Sequence, residues 1–345
     1  MIFIGLSQRK LKILSAIVEN YIENGEPVSS KNLCNILDLG VSSATLRNEM
    51  AELTELGFLE QPHTSAGRVP SDIGYRLYVD NLMKKKRIPT VMKQFINNSL
   101  KTSFGTAEDL ISSASNILAD ITKCAVISTT VSSEESKIVS VNIVKAGKYT
   151  AFMVLTTSNA LVKSKLFRVR FMLEEKYIEL FHLILNENFV GLNVSQVNLQ
   201  FVNNVLSSLQ EVLPIVADVV LTFFELCSEV TKSATHIKGQ TNLLFISDFD
   251  SKSALNLINY LESSDSILNL FLKAQNNKNA LIGREMNREE LVNSSIITKS
   301  YSANGKDFGS IGIVGPMRMD YGLVISCMDY LTSEVEELLN DLLEF

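Results

Sequence analysis

The chain has 345 residues, of which 46% are hydrophobic, and its formal net charge is −6. This length is typical of two or three domains with sizeable cores, and the net charge excludes a uniformly basic nucleic-acid binder. The four cysteines form no CxxC pair and no apolar run approaches about 18 residues, which disfavours a disulfide framework, a zinc site and a membrane span, so we expect a soluble, cytoplasmic protein.

Two amphipathic helices are predicted at the start of the chain. Ser7 can cap the first helix, in which apolar residues recur at helical period, and Gly25 ends it. Ser29 or Ser30 can cap a second, shorter helix. The turn at 39–41 then leads into a third helix.

The third helix has two contrasting faces. It begins at Ser42 or Ser43, whose hydroxyl can accept from the free N–H groups of the first turn. One face carries an apolar stripe of Leu46, Met50 and Leu53 at i, i+4 and i+7. The opposite face is small and polar near the N-terminus, as in a recognition helix that enters the major groove. Its members are Ala44, Thr45, Arg47 and Asn48.

A short β-hairpin is predicted directly after the third helix. Residues 58–61 read as a strand, a polar loop follows, and Val69 begins the return strand. A recognition helix followed by a hairpin is the winged form of helix-turn-helix. Arg68 would lie on the wing, within reach of phosphates or a minor groove. Ser71 can cap a fourth helix that carries Arg76.

Positive charge is concentrated around this predicted wing. Residues 61–87 carry six basic and two acidic groups, although the chain as a whole is acidic. Phosphate contacts require only such a local patch, so we predict that this unit binds duplex DNA. Two alternatives fit the same pattern: a merely solvated helix face, and a winged unit that binds protein. The predicted DNA-contacting residues are Ser42, Ser43, Thr45, Arg47, Asn48, His63, Ser65, Arg68 and Arg76.

A polar and cationic linker is predicted over 81–103, interrupted by Pro89. Its basic run at 84–87 fits either contact with the DNA backbone or a solvated helix end, where cations are favoured by the helix dipole. A helix at 106–121 follows. The chain then changes to period-two patterns rich in β-branched residues, which predict strands. These strands are expected at 123–131, 138–144, 149–156 and 160–169.

A mainly helical interval then separates these strands from a second set. Helical periodicity extends over 172–230 and 253–274. Some of these runs are apolar on more than one face, so we expect part of the interval to form a two-fold interface that includes Phe223 or Phe271. Strands return at 280–283, 294–301 and 310–314, and a last helix covers 324–343. This order predicts a domain inserted into an α/β unit.

The sequence offers little support for catalysis. Its three histidines belong to no HExxH or HxH pair, and it contains no GxSxG, P-loop or GxGxxG motif. We therefore predict no catalytic residue, no metal and no cofactor. Gly309, Gly312 and Gly315 fit a closely packed β-strand better than a phosphate-binding loop.

Two charged pairs near the C-terminus allow two interpretations. Arg318 and Asp320 fit either an ion pair at a strand end or a site for an anionic ligand. The same choice applies to Arg284 and Glu285. The ion-pair interpretation is favoured in both cases.

Several stretches of the chain resemble the heat-inducible transcription repressors of bacterial chaperone operons, the HrcA family. The longest match is ungapped, runs from Ser42 to Asp80 and reads SSATLRNEMAELTELGFLEQPHTSAGRVPSDIGYRLYVD. Further matches are GSIGIVGPMRMDYGLVI at 309–325, IGRE at 282–285 and GQTNLLF at 239–245. The resemblance covers nearly the whole chain.

The resemblance implies an α+β multidomain architecture with an N-terminal winged helix-turn-helix, a GAF-like α/β domain and an inserted, mainly helical dimerising domain. The expected boundaries are 1–80 for the winged-helix domain, 81–103 for the linker, 104–172 and 276–345 for the GAF-like domain, and 173–275 for the insert. It also implies a homodimer that represses chaperone operons by binding an inverted-repeat operator, CIRCE. Control by the GroEL–GroES chaperonin is implied too, with no small effector.

Two other classes of function remain as alternatives. One is a ligand-responsive winged-helix repressor whose GAF-like domain senses a metabolite or nucleotide in a pocket lined by Arg318. The other is an enzyme fused to a winged module, which the lack of catalytic motifs disfavours. A filled, apolar interior would favour the chaperonin-controlled repressor.

Overall fold

The structure, a computed structural model, describes residues 6–37, 40–63, 66–101, 105–130, 136–159, 161–231, 235–277 and 279–343. Helices and strands are mixed throughout these ranges, which confirms the α+β class. No helix within them combines the length and apolarity that crossing a bilayer requires.

The first unit consists of short helices and one hairpin. Its elements are α1 (Gln8–Asn24), α2 (Ser30–Ile36), α3 (Ser43–Glu55), β1 (Leu59–Glu60), β2 (Val69–Pro70) and α4 (Asp72–Leu77). The predicted caps are confirmed, because the hydroxyls of Ser7, Ser29, Ser42 and Ser71 each accept from the backbone N–H three residues ahead. Gly25 ends α1 with φ of 70°, a left-handed conformation that glycine adopts without strain.

The segment predicted as a linker is packed against the rest of the chain. A π-helical turn, Tyr78–Leu82, is followed by α5 (Thr90–Lys101). Ile96 and Leu100 of α5 are buried, and α5 contacts α6 (Ala107–Thr122). The prediction of a linker over 81–103 is therefore wrong for its second half, because the polar composition of that stretch hides a buried helical stripe.

The remaining elements form the body of the protein. In chain order after α6 they are β3 (Ala125–Thr130), β4 (Ile138–Lys145), β5 (Thr150–Thr157), β6 (Val162–Arg168), α7 (Glu175–Phe189), α8 (Leu199–Ser208), α9 (Leu213–Val230), β7 (Thr235–Lys238), α10 (Ser251–Leu261), α11 (Ser264–Asn276), β8 (Ala280–Ile282), β9 (Ser294–Ala303), β10 (Lys306–Pro316) and α12 (Tyr321–Leu343). The four strands predicted between 123 and 169 are all present, whereas β7 was not predicted.

A five-stranded antiparallel sheet, in the order β7-β3-β10-β9-β8, forms the centre of the body. Its core on one face includes α6 and α12, and this core continues into the first unit. On the other face α10 and α11 pack through Leu257 and Phe271. Gly312 of β10 lies beneath Phe271, where a Cβ atom would come within 2.5 Å of the ring, so the close-packed interpretation of this glycine is confirmed.

A second sheet, in the order β4-β5-β6, has its own core with α7, α8 and α9. The predicted insert is therefore wrong at both ends. The separate core spans 138–230 rather than 173–275, and α10 and α11 belong to the five-stranded sheet. Local period-two patterns identify strands but not the sheet that each strand joins. Phe223 and Phe271 are both buried within the chain, so neither is available to a partner subunit.

Candidate nucleic-acid interface

The helix α3 buries one face and presents the other to solvent. Ser42 caps it, and the hydroxyls of Ser42 and Thr45 are hydrogen-bonded at 3.1 Å, which fixes the first turn. Its N-terminal N–H groups carry partial positive charge, which favours nearby phosphate. The buried side chains are Leu46, Met50 and Leu53, and the exposed ones near the N-terminus are Ser43, Ala44, Arg47 and Asn48.

Two acidic side chains of α3, Glu49 and Glu52, are paired with cations of α1. Lys10 contacts Glu52 at 2.5 Å, and Arg9 contacts Glu49 at 3.5 Å. The hydrogen bond to Glu52 is the main cause of the raised pKa of Lys10. These pairs offset negative charge on the helix that would otherwise repel phosphates.

The hairpin approaches the link between α1 and α2 closely. Arg68 and Val28 exchange two backbone hydrogen bonds of 2.9 Å. A Cβ atom on Gly67 would lie 2.3 Å from the carbonyl oxygen of Val28, so this approach requires glycine. His63 is exposed in the loop three residues after β1, whereas Ser65 lies outside the described residues.

Arg68 is half-buried at the base of the hairpin. Its Nε donates a 2.9 Å hydrogen bond to the hydroxyl of Thr54, near the C-terminal end of α3. This bond engages one of the five N–H donors of the guanidinium. The side chain therefore connects the hairpin to α3, in addition to the phosphate contact that the sequence predicts.

Arg76 does not lie on the surface as expected. Its side chain is 11% exposed, and its guanidinium binds the carboxylate of Glu285 and the carbonyl oxygen of Ala280. Asp80 is a further partner at 3.3 Å. The prediction of an exposed cation at Arg76 is wrong because tertiary partners far away in sequence enclose it.

The basic run at 84–87 also has partners in the body. Lys85 contacts Asp329 at 2.5 Å, and Lys86 contacts Asp320 at 2.8 Å. Both lysines remain more than half exposed, and such surface pairs contribute little to stability. These ion pairs therefore leave both predicted roles of the run available.

Three members of the two charged pairs near the C-terminus form ion pairs with residues elsewhere in the chain: Arg318 with Asp248, Asp320 with Lys86, and Glu285 with Arg76. Arg318 binds both carboxylate oxygens of Asp248, at 2.9 and 3.0 Å, and its Nη1 donates to the carbonyl oxygen of Ile22. The bond to Asp248 is the main cause of the raised pKa of Arg318. The guanidinium that an anionic ligand would need is thus already engaged.

Sequence reasoning did not identify Lys31 as a candidate. It lies in the first turn of α2 and is exposed. In helix-turn-helix proteins the helix before the recognition helix crosses the DNA backbone. The signal was present in the sequence as a lysine directly after the capping serines.

The geometry of this unit defines the class of protein. Its helices and hairpin support one capped helix that exposes arginine and asparagine at its N-terminus, the arrangement of a DNA-binding transcription regulator. A family model described as "HrcA protein C terminal domain" matches residues 108–325. The chain belongs to the HrcA family, and the resemblance seen in its motifs is confirmed.

Similar proteins cover the chain from end to end. The heat-inducible transcription repressor HrcA of Clostridium tetani is 33% identical over 344 residues, which cover 99% of this chain and 98% of that protein. The repressor of the same name from Clostridium acetobutylicum is 32% identical over 337 residues, which cover 97% and 98%. A crystal structure of a hypothetical protein at 2.2 Å resolution matches 98% of this chain and 99% of its own, with a TM-score of 0.68 and 23% identity, which supports a shared fold.

Proposed function

We propose that this protein is a homodimeric, cytoplasmic repressor that binds an inverted-repeat operator, CIRCE, upstream of heat-shock chaperone operons. In this proposal the first unit is a winged helix-turn-helix, the five-stranded unit is GAF-like, and the three-stranded unit is the inserted dimerising domain. The observation that carries the proposal is the exposed polar N-terminal face of α3.

Base reading is assigned to two exposed residues of α3. Arg47 suits guanine and Asn48 suits adenine, because each side chain can form paired hydrogen bonds with that base edge. Ser42, Ser43 and Thr45 provide hydroxyl groups at the same helix end. Contacts to phosphate are assigned to Arg68, His63, Ser65 and Lys31, whereas Arg76 is withdrawn because of its buried ion pair.

Dimerisation is assigned to the outer face of the β4-β5-β6 sheet. Val144, Phe152 and Leu166 lie directly opposite one another across the three strands. Their exposures are 55%, 43% and 54%, so the row is apolar and accessible. Apolar surface of this kind on a soluble chain supports a contact with another subunit, and a two-fold contact would pair the row with its own copy.

Control by the GroEL–GroES chaperonin completes the proposal and rests on membership of the family. The apolar row on the insert suggests how a chaperonin could act on this protein. Loss of the dimer would expose this row, and a chaperonin that binds apolar surface would compete for it. Heat would increase the competing demand from other unfolded chains.

The proposal is tested by capture of genomic DNA from the native host on the purified full chain, followed by sequencing. We expect enrichment upstream of chaperone operons. A double variant, Arg47→Ala with Asn48→Ala, serves as the control and should lose this enrichment while it still binds DNA weakly. Uniform recovery of the genome by the wild-type chain, or enrichment upstream of unrelated genes, would contradict the proposal.

A further inference from the structure

Four stretches that lie far apart in sequence meet along one seam between the first unit and the body. We name this contact the docking seam and define it by Asp72 and Arg76 of α4 together with Asp248, Glu285 and Arg318 of the body. Glu285 belongs to the IGRE motif and Arg318 to the GPMRMDY motif. The two motifs, whose roles the sequence left undecided, therefore both lie at the docking seam.

At one end of the docking seam, Arg76 and Glu285 form a bidentate ion pair. The Nε of Arg76 donates to Oε1 of Glu285 at 2.8 Å, and Nη2 donates to Oε2. The same Nη2 donates to the carbonyl oxygen of Ala280 at 2.7 Å. Glu285 also accepts from the backbone N–H of Ile282 at 2.9 Å, which fixes the carboxylate from the body side. Such a pair restricts direction as well as distance, because both groups are planar.

At the other end of the docking seam, Arg318 contacts the C-terminal end of α1. Arg318 is held by both oxygens of Asp248 and donates to the carbonyl oxygen of Ile22 at 3.2 Å. Gly25 packs on this guanidinium, where a Cβ atom would lie 3.1 Å from it. Between the two ends, the carboxylate of Asp72 accepts from the backbone N–H of Arg284 at 2.9 Å.

The docking seam also has an aromatic interior. The rings of Tyr75 and Tyr321 lie 6.1 Å apart between centroids, and both side chains are buried. The first unit is therefore attached to the body through α1, α4 and a shared core. None of the polar contacts of the seam involves the exposed N-terminal face of α3, which remains accessible with the unit docked.

We propose that the docking seam sets the distance and rotation between the two α3 helices of the dimer, and so determines which operator spacing the protein accepts. This inference rests on the proposed function. Arg76, Glu285, Asp248 and Arg318 then act as positioning residues. Rigidly mounted recognition helices match one half-site separation, whereas freely tethered units reach many separations with similar effective concentration.

The experiment compares four full-length chains: wild type, Glu285→Gln, Asp248→Asn and the control Glu289→Gln. Glu289 is exposed and follows the IGRE motif closely, so its variant removes the same charge outside the seam. The probes are the inverted repeat enriched from genomic DNA, one half-site alone, and repeats with the spacer lengthened by one to five base pairs. Five added base pairs rotate one half-site by about half a helical turn.

We expect wild type and Glu289→Gln to lose at least about tenfold in affinity when five base pairs are added. Glu285→Gln and Asp248→Asn should lose less than about threefold, while their affinity for a single half-site equals that of wild type. Retained half-site affinity shows that the DNA-binding unit of each variant is folded. The two seam variants alter opposite ends of the seam, so either one that retains half-site binding provides the test.

The possible outcomes separate this inference from the function on which it rests. A wild-type chain that binds the half-site specifically but accepts every spacer would overturn the role of the seam and leave the repressor proposal intact. Seam variants with an unchanged spacer preference would do the same. A wild-type chain without specific half-site binding would overturn both.

Discussion

The Nε of Arg68 and the hydroxyl of Thr54 lie 2.9 Å apart and form a hydrogen bond between the base of the hairpin and α3. Thr54 donates its own proton to the carbonyl oxygen of Met50 at 2.8 Å, so its oxygen is oriented to accept from Arg68. The orientation of the hairpin is thereby coupled to the helix that is proposed to read bases. One side chain can serve both the placement of the wing and its charge, and the two roles can be separated by experiment.

Replacing Thr54 with Val removes the acceptor of Arg68 and keeps the charge. We expect a loss of about 1–2 kcal/mol in the free energy of unfolding, because the hydrogen bonds of Thr54 with Arg68 and Met50 are both lost. Operator binding should also weaken, because the hairpin is less well placed. The dependence of affinity on salt should not change. Thr122→Val is the matched control, since Thr122 also donates to a carbonyl four residues back in its helix. Operator affinity equal to wild type in Thr54→Val would contradict the coupling.

Replacing Arg68 with Ala removes both roles at once. If its guanidinium also contacts phosphate, the slope of log affinity against log salt should fall in magnitude by about 0.9, on specific and random duplex alike. The measurement is a salt titration of binding to both duplexes. A slope identical to that of wild type would mean that Arg68 acts only through Thr54.

Asn48→Ala tests base reading by the exposed face of α3. We expect a cost of about 1–3 kcal/mol on the specific operator and a much smaller cost on random DNA, because a base-edge contact is specific to sequence. Gln94→Ala is the control, since it removes an exposed amide from α5. Equal weakening on both kinds of DNA would remove Asn48 from the base-reading role.

Phe152→Asp tests the apolar row on the insert. Phe152 is 43% exposed, and a charge there should be tolerated by the folded monomer but not by an apolar two-fold contact. We expect monomers in solution, measured by light scattering or sedimentation, and reduced affinity for the full inverted repeat. Phe95→Asp is the control, because Phe95 is 45% exposed but lies on α5. A Phe152→Asp chain that stays dimeric would exclude this face from the interface.

Local signals in the sequence were sufficient to predict most helix starts and buried faces of the first unit. The caps depend on residues within one helical turn, so the sequence identified Ser7 and Ser71 and narrowed the other two to adjacent serines, of which Ser29 and Ser42 are the caps. The buried stripe of α3 follows from its spacing in the same way.

Long-range partnerships explain what the sequence did not reveal. Arg76 and Glu285 are 209 residues apart, and no local pattern predicts that one binds the other. Strands β4, β5 and β6 were identified, but the sheet to which they belong depends on pairings that β-propensity does not specify. The boundaries of the insert and the exposure of Arg76 were mispredicted for this common reason.

Acid is expected to weaken the contact between the 84–87 run and α12. Asp329 of α12 accepts hydrogen bonds from Lys299 and Lys85. Burial alone would raise the pKa of Asp329, but the two lysines outweigh burial and lower it below the usual value.

A carboxyl group with a lowered folded-state pKa stabilises the fold above its unfolded-state pKa of about 3.9, and this contribution is lost as pH falls through the folded-state value. We therefore expect Asp329→Asn to be less stable than wild type near neutral pH by at most about 1 kcal/mol, because solvent screens this partly exposed group. The difference in the free energy of unfolding, measured with urea at pH 7, 5 and 3.5, should be constant between the first two values and smaller at the third. Asp341→Asn, an exposed position on the same helix, should give a difference close to zero throughout. A difference for Asp329→Asn that grows as pH falls would have the wrong sign for a carboxylate stabilised by two lysines.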